Sequence, residues 1–477
     1  MNLAYFISFF LYFAILIIVG ISFYCKQKEA GDFMVGNRSL NYWVTAIATH
    51  ATDMSTWLFM AYPGLIYREG MPGCLIAVAL TLGMHFTWKY IAPKLRVASE
   101  TTNSPTLISY FEKRFNDPAG HIRLLGAIIS LVFFTLYISA GIVGLGRAVE
   151  AAFAVNYHMA ISIGTLGIVA YTLLGGFIAI AWNDFIQGMF VLFILLFVPM
   201  YAGWYLGGPT AIVEALKLKH VSLSPFPDFS WHTLLHTVVP AVGWGLGYFG
   251  MPHILMNFMG IDNVKNIKKA HRLGIMWQIL TTIFSATLIG LLGVVFFANT
   301  GLTDSELVFV RMAQQMFPPY LAGFILCGIL AAAITTMDSQ ILVAASTIAQ
   351  DLYRKFFNPK VSQEHLMYIS RLGGLGITAI AFICAFNNHD SILDLVYHAW
   401  SGLGGSFGPL LLASFYWQST ITKEGAFSGI LIGGLVAGSW RYFETGFNAP
   451  LIPAFIMSFV SIYLVSRITE KKRSQRT

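Results

Sequence analysis

Apolar runs follow one another along almost the whole chain, and each is about as long as a helix that crosses a bilayer. Such a helix needs roughly 20 predominantly apolar residues. The runs are 3–25, 40–66, 71–93, 122–150, 157–178, 183–207, 232–258, 273–298, 318–350, 369–386, 392–417, 424–443 and 450–467. The pattern predicts an all-α polytopic membrane protein with thirteen transmembrane helices, formed by residues 1–477 as a single integral domain.

Composition and charge support this prediction and give it an orientation. The chain is 56% hydrophobic and 11% charged, whereas a soluble domain carries about 25% charged residues. Of its 29 lysines and arginines, twenty-three fall in alternate connections and in the tail. Because basic residues stay on the cytoplasmic side, the N-terminus is predicted outside and the C-terminus inside. The net charge of +7 therefore reflects membrane insertion, and no nucleic-acid partner is expected.

Two of the predicted spans carry residues that interrupt helices. Span 2 contains "THATDMSTW", in which several hydroxyls can bond backbone groups freed by a break. Span 7 contains "VGWGLGYFGMPH", with four glycines and a proline. The two spans are five segments apart and so run in opposite directions, which is typical of an inverted-repeat transporter with its site between the breaks. The alternative is that glycine-rich spans only allow close helix packing.

Asp53 lies in the middle of span 2. A charge at the bilayer centre costs ~2.5–3.5 kcal/mol on insertion scales, so such a residue usually faces a cavity or a partner and marks an ion or substrate path. The other interpretation is a protonated structural aspartate bonded to neighbouring hydroxyls.

Span 9 offers oxygen ligands for a small cation. Thr335 and Thr336 place adjacent hydroxyls on a small-residue face, one turn after the Ala332 carbonyl. A break in span 2 would expose the carbonyls of Ala51 and Met54. Five neutral oxygens suit Na⁺ better than Ca²⁺, which normally takes several carboxylates.

Long motifs in order along the chain resemble one family of transporters. They are "NRSLNYWVTAIATHATDMSTWLFMAYPG", "FFTLYISAGIVGLGR", "GGFIAIAWNDFIQG", "GWGLGYFGMPHI", "ILAAAITTMDSQILVAAS" and "LVYHAWSGLGGSFGP". From about Ala30 to Trp440, the sequence is similar to the sodium:solute symporter family, and within it to the bacterial sodium/proline symporters. The resemblance implies a location in a bacterial plasma membrane.

The resemblance also implies a five-plus-five inverted-repeat core made of spans 2–11. Residues 37–417 would form this core, after a first helix and inner loop (1–36) and before two peripheral helices and a short cytoplasmic tail (418–477). The family's sodium ligands match the five residues already favoured by oxygen chemistry. Its coupling residues match Arg38 and Asp53. The family's proline pocket matches Ser55, Tyr137, Trp244, Tyr248 and Pro252.

Three departures from the family pattern bear on the solute and on the ion. Prolyl members carry Gly at the position of Thr56 and Gln at that of Met251, so these two pocket residues bear on substrate choice. On span 9, Asp338 replaces a family Ser. With Asp184, Thr335 and Ser339 it forms a candidate second cation site, for Na⁺ or a proton. Alternatively, one of the two carboxyls stays protonated and only bonds the other.

The expected function is secondary active symport of a small zwitterion, L-proline, with Na⁺ as the coupling ion, by alternating access. The alternatives are another amino acid or a small carboxylate and, in a different class, a transporter-like sensor, for which no output domain is visible. We expect no enzymatic activity, no cofactor and no obligate protein partner. The expected partners are the solute, Na⁺ and the lipid bilayer.

Overall fold

The computed structural model describes residues 3–24, 38–153, 155–226, 228, 230–387, 390–417, 421–443 and 449–474. These residues are helical throughout apart from their connections, and the only β-type pairing among them is the single bridge between Leu40 and Ile261. The all-α prediction is confirmed for this part of the chain. The predicted boundaries at residues 37 and 418 lie outside it.

The helices are numbered in chain order. They are α1 (Leu3–Tyr24), α2 (Tyr42–Ala51), α3 (Thr56–Phe59), α4 (Ala61–Glu69), α5 (Met71–Thr101), α6 (Leu107–Arg114), α7 (His121–Phe153), α8 (Tyr157–Tyr205), α9 (Gly208–Leu218), α10 (231–247), α11 (Pro252–Gly260), α12 (Val264–Phe296), α13 (Val308–Met316), α14 (Pro319–Phe357), α15 (Gln363–Phe386), α16 (Ile392–Tyr416), α17 (Lys423–Ser439) and α18 (Leu451–Ser474).

Seven helical segments among the described residues are long and apolar enough to cross a membrane. They are Met71–Thr101, His121–Phe153, Gly176–Tyr205, Val264–Phe296, Pro319–Phe357, Gln363–Phe386 and Leu451–Lys471. Shorter apolar stretches include Leu3–Ile15 and Tyr157–Val169. The higher count of thirteen spans stays a prediction.

The structure departs from the predicted pattern of simple helices in three places. The span predicted at 40–66 is divided into α2, α3 and α4, and the span at 232–258 into α10 and α11. The connection predicted at 179–182 is wrong, because those residues are helical and the departure lies at Gly176, with φ 61° and ψ 178°. Only glycine adopts such a conformation without strain. Asn183 and Asp184, which open the predicted span 183–207, are buried within α8.

Helix α14 lies at the centre of the molecule. In the most apolar 18-residue stretch of α14, 83% of the residues are buried, whereas in the corresponding stretch of α15 only 33% are. It packs against α1, α7, α8 and α15, and also against both sides of the break between α2 and α3. Any polar side chain on α14 therefore faces protein and must find a partner there.

Candidate cation and solute site

The first break spans Thr52 to Ser55 and is held by local hydrogen bonds. The Met54 amide still reaches the carbonyls of His50 and Ala51, at 3.2 and 3.3 Å. Ser55 is extended, with φ −74° and ψ −162°, and its hydroxyl caps α3 by accepting from the Trp57 amide. The Trp57 indole donates to the Asp53 carbonyl at 3.1 Å. The predicted interruption at "THATDMSTW" is therefore present, and it leaves backbone oxygens of this segment available to other helices.

The second break lies between α10 and α11. A 3₁₀ turn, Tyr248–Gly250, ends at Met251, which is extended with φ −86° and ψ 101°, and Pro252 opens α11. Proline at this position costs the helix no hydrogen bond. The glycines bring this turn directly onto α16, because a Cβ added to Gly250 would lie 2.5 Å from the Gly408 amide nitrogen.

Replacing Gly250 by alanine is therefore expected to lower the thermal unfolding midpoint of the detergent-solubilised protein. The added methyl meets backbone of α16, which cannot move aside as a side chain can, and overpacking of this kind costs about 1–3 kcal/mol. The matched control is Gly376→Ala on α15, where an added Cβ has no neighbour within 4 Å. Equal midpoints for the two variants would contradict the close contact of the second break with α16.

Helix α14 meets the first break through a hydroxyl that joins two carbonyls. Thr335 Oγ1 lies 2.9 Å from the Ala51 carbonyl oxygen and 3.1 Å from that of Ala332. Thr336 Oγ1, on the next residue, is buried and has no partner among the described residues. Met54 lies in the same break, with its side chain buried. Three of the five predicted cation ligands thus meet directly, and a fourth carries an unused hydroxyl oxygen beside them.

The oxygens gathered here are neutral, the ligand type by which a hard monovalent cation can be bound. In this structure the Thr335 hydroxyl is hydrogen-bonded to the Ala51 and Ala332 carbonyls. Asp53 belongs to the same break, but its carboxylate accepts a hydrogen bond from the Tyr248 hydroxyl. The break therefore offers neutral oxygens and a single carboxylate that is already hydrogen-bonded, whereas a divalent ion normally takes several carboxylates.

Asp53 and Tyr248 connect the two breaks. The Tyr248 hydroxyl donates to Asp53 Oδ2 and accepts from the Gln278 amide at 3.3 Å, and all three side chains are buried. Gln278 belongs to α12, so one hydrogen-bonded chain joins three helices. Gln278 was not among the predicted site residues, because a lone glutamine in an apolar span gives no sequence pattern that identifies its partner.

An aromatic cluster surrounds Tyr248. The Trp400 ring lies 5.1 Å from that of Tyr248 and 6.5 Å from that of Tyr137, and its indole donates to the Trp244 carbonyl at 3.0 Å. Trp244 in turn stacks on Tyr397 at 4.4 Å. Tyr137, Trp244 and Tyr248 were predicted as solute contacts, and the structure brings them together. Trp400 and Tyr397 were missed, although "YHAWSGLGG" places both beside a glycine run.

The other predicted solute contacts lie around this cluster. Ser55 caps α3 as described, and Thr56 follows it with a buried hydroxyl that has no partner within the described part of the chain. Thr56 packs directly on Gly144 of α7, where any larger residue would clash with it. Met251 and Pro252 are buried in the second break. Thr56 and Met251 are thus both buried, one beside each break.

The candidate second cation site is only partly assembled. The Ser339 hydroxyl donates to Asp184 Oδ2 at 3.3 Å, and both residues are buried. Neither carboxyl oxygen of Asp338 has a hydrogen-bond partner in the described residues, although this side chain is fully buried. Thr335, the fourth predicted member, bonds towards Ala51 instead.

Arg38, the predicted coupling residue before α2, bonds to the ends of two helices. Its guanidinium donates to the Ser99 hydroxyl and carbonyl on α5 and to the Met259 carbonyl on α11, at 2.9–3.0 Å. It adopts a positive φ of 56°. Beside it, the backbone of Leu40 bonds to Gly260 and to Asp262. The start of the first broken span is thus bonded to the end of the second.

Helix α7 runs between two ends of the molecule, which we call the Arg123 end and the Arg147 end. At the Arg147 end, Arg147 pairs with Glu306 at 3.0 Å, and a cavity of about 670 Å³ lies beside this pair. Burial raises the pKa of the Glu306 carboxyl, and Arg147 partly offsets this effect. At the Arg123 end, Arg123 pairs with Asp351 at 2.9 Å.

Comparison with known proteins identifies the family of the chain. The sequence profile of the sodium:solute symporter family matches residues 33–433. The chain belongs to this family. It is 37% identical to the high-affinity proline transporter PutP of Bacillus subtilis over 95% of the chain and 96% of that protein. It is 35% identical to the sodium/proline symporter of Escherichia coli over 96% of the chain and 92% of that protein.

A solved structure shows the same fold. The structure of a Na⁺-coupled sialic acid symporter in a substrate-bound, outward-open state superposes with a TM-score of 0.84 and covers 98% of each chain, at 17% identity. At this identity the likeness concerns the fold alone. Membership of the family confirms that the chain is an integral membrane transporter.

Proposed function

We propose that the protein is a sodium-coupled symporter that imports L-proline across a bacterial plasma membrane by alternating access. The observation that carries this proposal is the hydrogen bond between Asp53 and Tyr248. It joins the break that carries the cation oxygens to the aromatic cluster that would hold the solute. A conformational change at either break is therefore transmitted to the other through this hydrogen bond.

The proposed solute follows from the chemistry of the cluster and from the relatives. The curated relatives named above are proline transporters. Pro252 opens α11, so the free amide groups and the positive dipole end of this half-helix would attract a carboxylate. Trp244 and Tyr248 offer aromatic surface to an apolar ring. The alternative solutes are another amino acid or a small carboxylate, because Thr56 and Met251 differ from the residues that prolyl members carry at these positions.

The proposed topology has thirteen spans, an outside N-terminus and a cytoplasmic C-terminus. Spans 2–11, within residues 37–417, would form the inverted-repeat core, and the two broken spans would be related elements of its halves. With this orientation the Arg147 end faces outwards and the Arg123 end faces the cytoplasm. The two ion pairs at these ends then stand on opposite sides of the site.

We propose Ala51, Met54, Ala332, Thr335 and Thr336 as the ligands of the coupling ion. Asp184, Asp338 and Ser339 are proposed to hold a second cation or a shared proton. The unpartnered oxygens of Asp338 support a role for this group, because a buried carboxyl without a partner is costly.

Coupling to one sodium ion supplies enough free energy for uptake. One charge that crosses 100 mV yields ~2.3 kcal/mol, and a tenfold sodium gradient adds ~1.4 kcal/mol. The total of ~3.7 kcal/mol would sustain a solute gradient of roughly several hundredfold.

Purified protein in proteoliposomes is expected to take up labelled proline only when an inward sodium gradient is imposed. Because a zwitterion adds no charge, each cycle should move net positive charge inwards, which a voltage-sensitive dye or a solid-supported membrane would record. A panel of other amino acids and short carboxylates tests the alternative solutes. If sodium stimulates the uptake of none of these solutes, the proposed function is wrong.

A further inference from the structure

A group of basic side chains lies where α5 and α12 pack side by side. The rings of His85, on α5, and His271, on α12, have centroids 4.7 Å apart, and Nε2 of His271 lies 3.1 Å from Nδ1 of His85. The titratable groups that act electrostatically on His271 are His85, Lys89 and Arg272, and all of them are basic. We call these four residues the basic cluster.

The basic cluster has no acidic partner in the part of the chain that the structure describes. Lys89 and Arg272 are exposed, and neither forms an ion pair there. The carboxylate of Glu100, further along α5, is instead bound by Arg96 at 2.7 Å. Like charges repel one another, so a bound anion would stabilise this arrangement of basic groups.

The histidine pair adds a hydrogen-bond donor to this charge. A neutral imidazole has one N–H and one acceptor nitrogen. When His271 donates from Nε2 to His85, the Nε2–H of His85 stays free, and when His85 donates from Nδ1, the Nδ1–H of His271 stays free. Neither ring has another hydrogen-bond partner among the described residues. In both tautomeric arrangements, one N–H is therefore left for an outside acceptor.

Exposed apolar side chains continue from the basic cluster along both helices. The predicted apolar run of α5 ends at residue 93 and that of α12 begins at residue 273, so Lys89 and Arg272 lie close to where these helices leave the hydrocarbon. Towards the middle of each run, positions three, four or seven residues away share a helix face with these two residues. The exposed side chains there are Leu82 and Phe86 on α5 and Met276 and Ile279 on α12, at 41–54% exposure. The cationic part and the apolar part of this surface follow the order of a phospholipid's headgroup and chains.

We propose that the basic cluster binds the phosphate of an anionic phospholipid, of the phosphatidylglycerol type, in the inner leaflet. Lys89 and Arg272 contact the phosphate oxygens, the free imidazole N–H donates to one of them, and the acyl chains lie along the exposed apolar side chains. Basic pockets between transmembrane helices on the cytoplasmic side are typical sites for such headgroups. A zwitterionic lipid fits less well, because the cluster offers no carboxylate to its ammonium group. The assignment to the inner leaflet rests on the orientation proposed above.

The basic cluster is connected to the proposed cation site through aromatic contacts. The ring of His271 stacks on that of Trp88 at 6.3 Å, and the Trp88 indole donates to Nε2 of His50 at 3.2 Å. His50 directly precedes Ala51, whose carbonyl is a proposed cation ligand. Helix α12 also packs closely on His50, since a Cβ added to Gly274 would lie 2.4 Å from its Nε2. In the proposed symporter, a lipid bound at the basic cluster therefore holds α12 against the first break and supports the binding of Na⁺.

Lipid binding can be measured on the purified protein by native mass spectrometry during titration with phosphatidylglycerol. We expect Lys89→Gln and Arg272→Gln each to weaken binding of the first lipid by about fivefold, the effect of one basic residue near an anionic surface. The control is Lys360→Gln, which removes an exposed lysine from the connection between α14 and α15 and should bind as the wild type does. Phosphatidylcholine should bind equally weakly to all four proteins.

A second measurement follows the sodium dependence of proline uptake in phosphatidylcholine vesicles made with and without phosphatidylglycerol. An anionic bilayer concentrates Na⁺ at its surface for every variant, so only the difference between variants reports on the site. We expect phosphatidylglycerol to lower the sodium concentration for half-maximal uptake by at least about threefold more in the wild type and in Lys360→Gln than in Arg272→Gln.

The outcomes separate the lipid site from the proposed function. Equal affinity of the four proteins for phosphatidylglycerol, or displacement of the lipid by inorganic phosphate, would overturn the site. An Arg272→Gln protein that binds the lipid weakly but keeps the full response to it would overturn the link to the cation site. If the wild type shows no sodium-dependent uptake, the proposed function is wrong, while the binding measurement still decides the lipid site.

Discussion

Replacing Thr336 by valine is expected to raise the sodium concentration for half-maximal uptake by about tenfold to a hundredfold. A polar contact to a charged group contributes about 1.5–3 kcal/mol, and each 1.4 kcal/mol is a factor of ten. Valine keeps the shape of the side chain and removes only the hydroxyl. Since Thr336 Oγ1 bonds to no described residue, its removal leaves no new unsatisfied partner in the protein. A change in sodium dependence would then report on the ion itself.

Sodium-dependence curves for proline uptake in proteoliposomes measure this effect. The matched control is Thr378→Val on α15, because Thr378 is also a buried threonine but bonds back to the Gly374 carbonyl of its own helix at 2.8 Å. We expect this control to keep the wild-type sodium dependence. If the sodium concentration for half-maximal uptake is unchanged in Thr336→Val, Thr336 is not a ligand of the cation. Thr335 is a poorer choice, because its loss also removes the hydrogen bond to Ala51.

The second large effect is expected from Tyr248→Phe, which removes the hydroxyl that joins the two breaks. It leaves the buried Asp53 carboxyl without its donor, and a hydrogen bond to a charged group contributes about 1.5–3 kcal/mol. We expect sodium-stimulated uptake to fall by about tenfold to a hundredfold. The stimulation of proline binding by Na⁺ should be lost as well.

The control for this variant is Tyr397→Phe. Tyr397 belongs to the same aromatic cluster and is buried, but its hydroxyl has no hydrogen-bond partner among the described residues. It should retain sodium stimulation. A double-mutant cycle with Asp53→Asn gives the sharper result, because residues that act through one bond show non-additive effects. Additive losses for the two substitutions would mean that Asp53 and Tyr248 act separately.

The sequence predicted both interruptions because each depends on local chemistry. A glycine-rich segment that contains Pro252 cannot continue as one helix, and the hydroxyls around Asp53 are of the type that caps freed backbone groups. The contact between Thr335 and Ala51 followed from the same reasoning, since a hydroxyl pair on α14 needed oxygen neighbours. Family membership, which the resemblance suggested, is confirmed by the comparisons.

Other features depended on contacts that sequence patterns do not encode. Gln278 and Trp400 join the site from helices that are distant in the sequence, and no local periodicity identifies such partners. The connection near residue 180 was misplaced because the apolar run continues through Gly176, where the backbone departs from the helix, and hydropathy does not mark that position. Asn183 and Asp184, a few residues later, are buried within α8.

The bridge between Leu40 and Ile261 has a consequence for how the transport cycle is timed. It joins the neighbouring ends of the two discontinuous segments by two backbone hydrogen bonds, Leu40 to Gly260 and Asp262 to Leu40. While these bonds persist, neither segment moves at that end without the other. In the proposed cycle, the segment with the ion oxygens and the segment with the solute surface would therefore change position together, which would favour release of ion and solute in the same step.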